Sequence, residues 1–171
     1  CSSDLLVGKE FKDIFNIDFS REKMQRDDKG KPYIEGFDHG FSVSHCQYGV
    51  AAVASECRNI GVDIEGPRRI KDNVMRRVAT QTEWEELLRA KEQSQEAMDA
   101  AFLRLWTQKE AYLKAMGTGL AGGFDLPEIY EPGRVESFGL SDGVTVSAAC
   151  LLNNAEDTFI LHILDDAESM D

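Results

Sequence analysis

The sequence predicts an α+β protein with antiparallel strands. Three observations carry that prediction: short alternating apolar runs up to position 65, apolar residues repeating at three and four between 68 and 116, and two further strand-like runs after position 140. Leu5, Leu6, Phe11, Ile14 and Phe15 give a helix over about 4–16 that begins without a lead-in, so residues are expected to be missing upstream of Cys1. A charged connection, 19–28, leads to a turn at Gly30-Lys31-Pro32-Tyr33. Phe41-Ser42-Val43-Ser44-His45, Gly49 to Ala54 and the run through Ile60, Val62 and Ile64 read as three strands of a meander. From Arg68 the pattern is helical, with Val74 and Val78 on one face, and Thr80-Gln81-Thr82-Glu83 has capping-box spacing before Trp84, Leu87 and Leu88. Residues 91–99 read as an exposed connection or a solvated helix end. Phe102, Leu105, Trp106, Leu113 and Met116 then define a long amphipathic helix, stopped by Gly117-Thr118-Gly119. Val144 to Leu152 and Thr158 to Leu164 are expected to pair with each other across 153–157, and the last seven residues to be disordered. No internal repeat, low-complexity tract or interdomain linker is visible.

The 171 residues, 42% of them hydrophobic, suffice for one large or two small domains with a real core. Nineteen basic against 31 acidic side chains leave a net charge of −12, which argues against broad nucleic-acid binding and against adhesion to an anionic membrane. Any anionic ligand must be met by a local basic patch. Cys1, Cys46, Cys57 and Cys150 form no CxxC pair and have no metal-ligand spacing with the histidines, so free thiols in a reducing compartment are expected. No apolar stretch approaches the roughly 20 residues that span a bilayer, and no signal-like segment opens the chain, which makes the cytoplasm the expected location.

Chemistry concentrates in two motifs. In Gly61-Val62-Asp63-Ile64-Glu65, Asp63 and Glu65 project side by side from the strand face opposite Ile60, Val62 and Ile64. Ionising both in a partly enclosed place costs free energy unless a cation or a proton lies between them, and an all-oxygen cluster of that kind suits Mg²⁺. Downstream, Trp106-Thr107-Gln108-Lys109-Glu110-Ala111-Tyr112-Leu113-Lys114 sits on the long helix. At 100° per residue, Trp106, Glu110 and Lys114 share a face with Lys109 to its side, so Glu110 reaches toward the strand acids. Singly, each feature has a plain explanation. Strand acids are ordinarily solvated, Glu110 and Lys114 make a helical i,i+4 pair worth about 0.3 kcal/mol, and a lone His45 satisfies a local hydrogen bond. Trp106 belongs to the core on either reading.

Taken in order, Gly30-Lys31-Pro32, Phe41 to His45, Gly61 to Glu65, Trp106 to Lys114 and Gly117-Thr118-Gly119-Leu120 resemble the 4′-phosphopantetheinyl transferases, over roughly residues 4–125. The resemblance is to the larger monomeric type that activates surfactin and other nonribosomal peptide synthetases. Short trimeric relatives carry the aspartate motif almost at the N-terminus, whereas here the GKP and Ser-His segments precede it. The resemblance implies two similar lobes, each a small antiparallel sheet packed with a long helix, with coenzyme A between them. On this chain the lobes would be 1–59, incomplete and truncated upstream, and 60–171, which carries the metal and catalytic motifs.

The activity so implied is Mg²⁺-dependent transfer of the phosphopantetheine arm of coenzyme A to a serine hydroxyl of an acyl or peptidyl carrier protein, releasing adenosine 3′,5′-bisphosphate. Asp63, Glu65 and Glu110 would hold Mg²⁺, with Glu110, directly or through a metal-bound water, the base for the serine. Lys109 and Lys114 would pair with phosphate oxygens, and Lys114 would stabilise or protonate the leaving group. Ser44 and His45 resemble the family's phosphate contact, and Lys31 its contact near the adenosine 3′-phosphate. Three departures stand out: Cys46 where serine is frequent, Thr118 where lysine is often found, and a short N-terminal portion. The alternative is a non-catalytic module of the same scaffold that binds coenzyme A or a carrier protein; a Mg²⁺-dependent phosphohydrolase is more remote.

One further feature is independent of these motifs. Arg68, Arg69, Lys71, Arg76 and Arg77 stand against a single acid, Asp72, inside a chain of net charge −12. Such a patch is suited to docking an acidic carrier protein. Pairing of these residues with Glu83, Glu85 and Glu86 is the equally open alternative.

Overall fold

A computed structural model describes residues 12, 24–28, 31–36, 40–55, 58–118, 134–151 and 160–164. A short hairpin joins β1 (Met24–Arg26) to β2 (Pro32–Ile34), its turn closed by Asp27 Oδ1, which accepts from the Lys31 amide at 2.8 Å. Lys31 thus leads directly into a strand where a turn was expected. A second hairpin joins β3 (Gly40–Cys46) to β4 (Gly49–Ser55), and β5 (Ile60–Glu65) follows. Three helices come next: α1 (Asp72–Val78), α2 (Gln81–Gln93) and α3 (Gln95–Met116). Then β6 (Arg134–Gly139) and β7 (Thr145–Cys150) flank a 3₁₀ turn at Ser141–Gly143, and β8 (Ile160–Leu164) ends the described chain. The helix expected over 4–16, Lys12 apart, and the last seven residues lie outside the described positions.

The protein is α+β, as expected, but its strands are wired differently from the expected meander. The orders are β3-β4-β8 and β5-β7-β6, every pair antiparallel. So β5 leaves the β3–β4 hairpin for another sheet, and β7 and β8 do not pair with each other. The reason lies in β7, where Val146 through Cys150 are all 0% exposed. A strand buried on both faces is central and needs partners on both edges, which β5 and β6 supply. The strand β6 escapes the sequence pattern because Arg134 and Glu136 interrupt its apolar residues. The return of β8 to β4 carries the C-terminal chain across the expected boundary at 59/60.

Helix starts and stops follow local chemistry. Thr80 and Glu83 form the predicted capping box, Glu83 Oε2 accepting from the Thr80 amide at 2.7 Å and Thr80 Oγ1 from the Glu83 amide at 3.3 Å. Ser94 ends α2 and caps α3, its Oγ accepting from the Ala97 amide at 3.0 Å. Residues 91–99 are therefore two abutting helix ends rather than an exposed connection, with Met98 and Asp99 buried. Gly117, at φ 69°, ends α3 in the left-handed conformation that glycine tolerates. In α1, Met75 and Val78 face the core, while Val74, expected there, is 41% exposed.

Two layers position the site. Ile60, Val62 and Ile64 pack with Ala51, Val53, Val144 and Val146 on one side of β5. The other side, carrying Gly61, Asp63 and Glu65, lies under α3. A Cβ placed on Gly61 would stand 2.0 Å from the Ala111 carbonyl oxygen and 2.6 Å from the Ala115 amide nitrogen of α3. The glycine therefore sets how closely helix and strand approach, helped by the buried alanines 111, 115 and 149. Gly61→Ala should cost about 1–3 kcal/mol in urea unfolding, the range for overpacking, whereas Gly139→Ala, with nothing within 4 Å of its added Cβ, should be near neutral. Equal stability of both variants would refute this account of Gly61.

Candidate active site

Gly61, Asp63 and Glu65 alternate onto the α3 side of β5, opposite Ala149, Ser147 and Thr145 of β7. From α3, Lys114 reaches down to the strand. Its Nζ donates to Asp63 Oδ1 at 2.8 Å, to Ser44 Oγ at 2.9 Å and to the Val62 carbonyl at 2.9 Å. Ser44 Oγ in turn donates to the same Asp63 oxygen at 2.8 Å. All three ammonium donors of Lys114 are thus taken by protein. One strand residue earlier on the same face, Ser42 Oγ accepts from the Val62 amide at 3.1 Å. β3 and β5 share no backbone ladder, so these hydroxyls supply the polar contacts between the two sheets, beside the apolar packing of Ala51 and Val53 on β5.

Among the described residues, three buried side-chain oxygens have no hydrogen-bond partner: Asp63 Oδ2, Glu110 Oε1 and Thr118 Oγ1. Two belong to acids that sequence analysis assigned to a metal. Burial pushes the Asp63 carboxyl above its ordinary value, against the attraction of Lys114. Glu110 is also raised, by burial first and then by the negative charge of Asp63, with Glu65 adding to it. The three carboxylates therefore sense one another. Unpartnered acidic oxygens in a raised pair fit a hard divalent cation, which accepts oxygen ligands and removes the repulsion. Among the described residues, however, no three acidic, histidine or cysteine side chains stand close enough to form a ready-made cage. Glu65 is instead clasped by Arg68, whose two terminal nitrogens donate to its two carboxylate oxygens.

The remaining predicted residues divide. Lys109, expected to meet a phosphate, is 1% exposed and turned away from the acids; its Nζ donates to the Val78 carbonyl at 2.9 Å and to Glu83 Oε2 at 2.7 Å. Helix rotation explains this, since neighbours on α3 point 100° apart. His45 is exposed, and strand alternation places it on the face opposite Ser44. Lys31 sits at the C-terminal end of α3, where Nζ donates to the Ala115 carbonyl at 3.0 Å and to the Arg58 carbonyl at 3.3 Å. It borders a cleft of about 420 Å³ lined also by Tyr33, Phe41, Arg58 and Asn59.

The basic segment does not pair with Glu83, Glu85 or Glu86. Arg68 holds Glu65, Arg69 meets Asp99 at 2.8 Å, and Arg76 donates to Gln81 at 2.8 Å and lies over the Trp84 ring. Sequence reasoning missed the part that Ser42 plays and placed Arg68 in the docking patch without its hold on Glu65. The Ser42-x-Ser44 spacing, two hydroxyls on one strand face, was the available signal for the first; nothing local marks the second.

A carboxyl whose pKa is raised on folding binds more protons in the folded chain, so stability falls as pH rises from the ordinary carboxylate range through the raised values. Without divalent cation, Glu110→Gln should therefore raise Tm at neutral pH and flatten the decline in Tm above the ordinary carboxylate range, because an amide is less costly to bury than a carboxylate. Thermal scans of both proteins across pH check this; an unchanged or lower Tm for the variant at neutral pH would contradict it.

Residues 59–156, more than half of the chain, match the family model of the 4′-phosphopantetheinyl transferase superfamily. The chain is similar to a 4′-phosphopantetheinyl transferase, gsp, of Aneurinibacillus migulanus, at 29% identity over 68% of this chain and 47% of that protein. It is 31% identical to the 4′-phosphopantetheinyl transferase Sfp of Bacillus subtilis over 69% of this chain and 51% of the relative. An L-aminoadipate-semialdehyde dehydrogenase-phosphopantetheinyl transferase of Xenopus laevis is 34% identical over 73% of this chain and 44% of its own length. The chain spans about half the length of the curated relatives it matches. The matched span contains Asp63, Glu65, Glu110 and Lys114, the residues gathered between α3 and β5, and on that ground the chain belongs to the 4′-phosphopantetheinyl transferase superfamily.

Proposed function

We propose that this protein transfers the phosphopantetheine arm of coenzyme A to a serine hydroxyl of an acidic carrier protein, as a monomer and with Mg²⁺. The observation that carries the proposal is the pair of buried, unpartnered carboxylate oxygens, Asp63 Oδ2 and Glu110 Oε1, beside the cation of Lys114. Asp63 and Glu110 would hold the ion, with Glu65 joining when its oxygens leave Arg68. When bound, Mg²⁺ supplies charge neutralisation at the phosphate oxygens.

Glu110 takes the serine proton, being the carboxylate that α3 holds at the reacting centre. The serine oxygen then forms the new bond to phosphorus, and the pyrophosphate bond to the adenosine bisphosphate breaks, the electron pair leaving with that oxygen. Lys114 holds Asp63 in place and keeps a positive charge at the reacting centre. Direct contact with the leaving group requires it to exchange one of its three acceptors. The cleft bordered by Lys31 and Arg58, whose lining also includes Asp27 and Glu35, is assigned to the phosphorylated adenosine end of coenzyme A, with the two cations as its phosphate contacts. His45, on the outer face of β3, is proposed to meet a phosphate at the mouth of the site. Cys46 and Cys150 are free thiols, which supports a reducing, cytoplasmic setting.

Carrier docking is assigned to the exposed side of α1, where Arg76, Arg77 and Val74 lie, with Arg68 and Arg69 beside it. Incubation with apo carrier protein, coenzyme A and Mg²⁺, followed by intact mass, should show a phosphopantetheine-sized increase that Glu110→Ala abolishes. No increase across acyl, peptidyl and aryl carriers would sink the proposal. Arg76→Glu with Arg77→Glu should raise KM for the carrier about tenfold and leave KM for coenzyme A unchanged, as reversing charges at a docking rim does; an equal rise in both would refute the docking assignment.

A further inference from the structure

Lys109 is the one motif residue that the proposed reaction leaves without a task, and its surroundings define one. Its ammonium is almost wholly enclosed, and its two described acceptors come from two different helices. The Val78 carbonyl is the last of α1, at the negative end of that helix, where a cation is favoured. Glu83 Oε2 belongs to the capping box that starts α2, and the same oxygen already accepts from the Thr80 amide. One lysine therefore ties the end of α1 and the start of α2 to the middle of α3.

Lys109 also precedes Glu110 directly. On a rigid helix, rotation or sliding that moves Glu110 away from β5 pulls the Lys109 ammonium out of its enclosed place. Two neighbours brace the same turn of α3 from the sheet side: Thr107 Oγ1 is 2.7 Å from Ser147 Oγ, and Gln108 Nε2 donates to Ser137 Oγ at 2.9 Å. From the helical side Lys109 supplies the hydrogen bonds beside the apolar packing of Trp106, and that side carries Arg76 and Arg77.

We propose that Lys109 is a positioning residue: through the Val78 carbonyl and Glu83 it fixes the carrier-docking helix α1 relative to Glu110, so that a docked serine reaches the base. The inference rests on the transferase and docking reading above. It assigns Lys109 to the turnover of the carrier serine rather than to the binding of coenzyme A.

The test uses the intact protein with apo carrier protein, coenzyme A and Mg²⁺, measuring kcat and both KM values, with coenzyme A affinity by calorimetry. Lys109→Met keeps the aliphatic stem and removes the cation. It should lower kcat at least tenfold while coenzyme A affinity stays within twofold, and Lys109→Arg should recover part of the loss. Glu83→Gln, which retains a cap acceptor, should act in the same direction more weakly; it decides the matter if Lys109→Met does not fold. A tenfold loss of coenzyme A affinity with kcat preserved would make Lys109 a phosphate contact and overturn the proposal. A lower Tm with kcat and both KM values unchanged would reduce it to structural filling and also overturn it. An active wild type with equally active variants defeats this inference alone, whereas an inert wild type defeats the transferase reading and this inference together.

Discussion

The Lys114 ammonium touches three elements at once. It stands on α3, pairs with Asp63 of β5, and donates to the Ser44 hydroxyl of β3. Along this seam the two three-stranded sheets have no ladder hydrogen bonds between them, so the side chains of Ser42, Ser44, Asp63 and Lys114 supply the polar connection. The geometry requires Gly61, because any Cβ there would push α3 away and withdraw Lys114 from the strand. Asp63 is still raised despite this partner, which means that loss of water outweighs the attraction. A buried ion pair of this kind orients groups more than it stabilises the fold.

Polar groups under α3 fall into two kinds. Thr107, Ser147, Ser137 and Gln108 form a continuous hydrogen-bonded row with partners for each. Farther along the same helix and on the paired strand β5, Asp63 Oδ2 and Glu110 Oε1 have none. A fold able to satisfy the first set has left the second open, at a cost in metal-free stability. Such an arrangement is typical of sites held ready for a ligand. Glu65 differs again, being covered by Arg68, so the acids of the aspartate motif are unequal: one held, one clasped.

What the sequence revealed was local. The capping box at Thr80 and Glu83, the strand faces of β5 and the glycine stop at 117 depend on residues a few positions apart, and each is where its pattern put it. Strand partners are not local: the pairing of β7 with β5 and β6 depends on burial of both its faces, and β6 hides behind Arg134 and Glu136. The same limit governs the site. Lys109 and Lys114 are two lysines on one helix, and the motif alone gives both the same charge. Helical spacing sets Lys109 to the side of the face that Glu110 and Lys114 share, but only the packing of α1 and α2 against α3 shows it enclosed among helices. Arg68, three residues beyond Glu65, stands out in the sequence only as part of a basic patch, and its hold on Glu65 became visible only through the contact.

The central claim is that one oxygen of each acid, Asp63 Oδ2 and Glu110 Oε1, is left without a protein donor so that the two share a divalent cation. Calorimetric titration of Mg²⁺ into the intact, metal-stripped protein tests this directly, without any substrate or turnover. The account predicts one site per chain, lost in Asp63→Asn and in Glu110→Gln and retained in Lys109→Met. Equal binding by wild type and both carboxylate variants, or no binding by wild type at all, would contradict it.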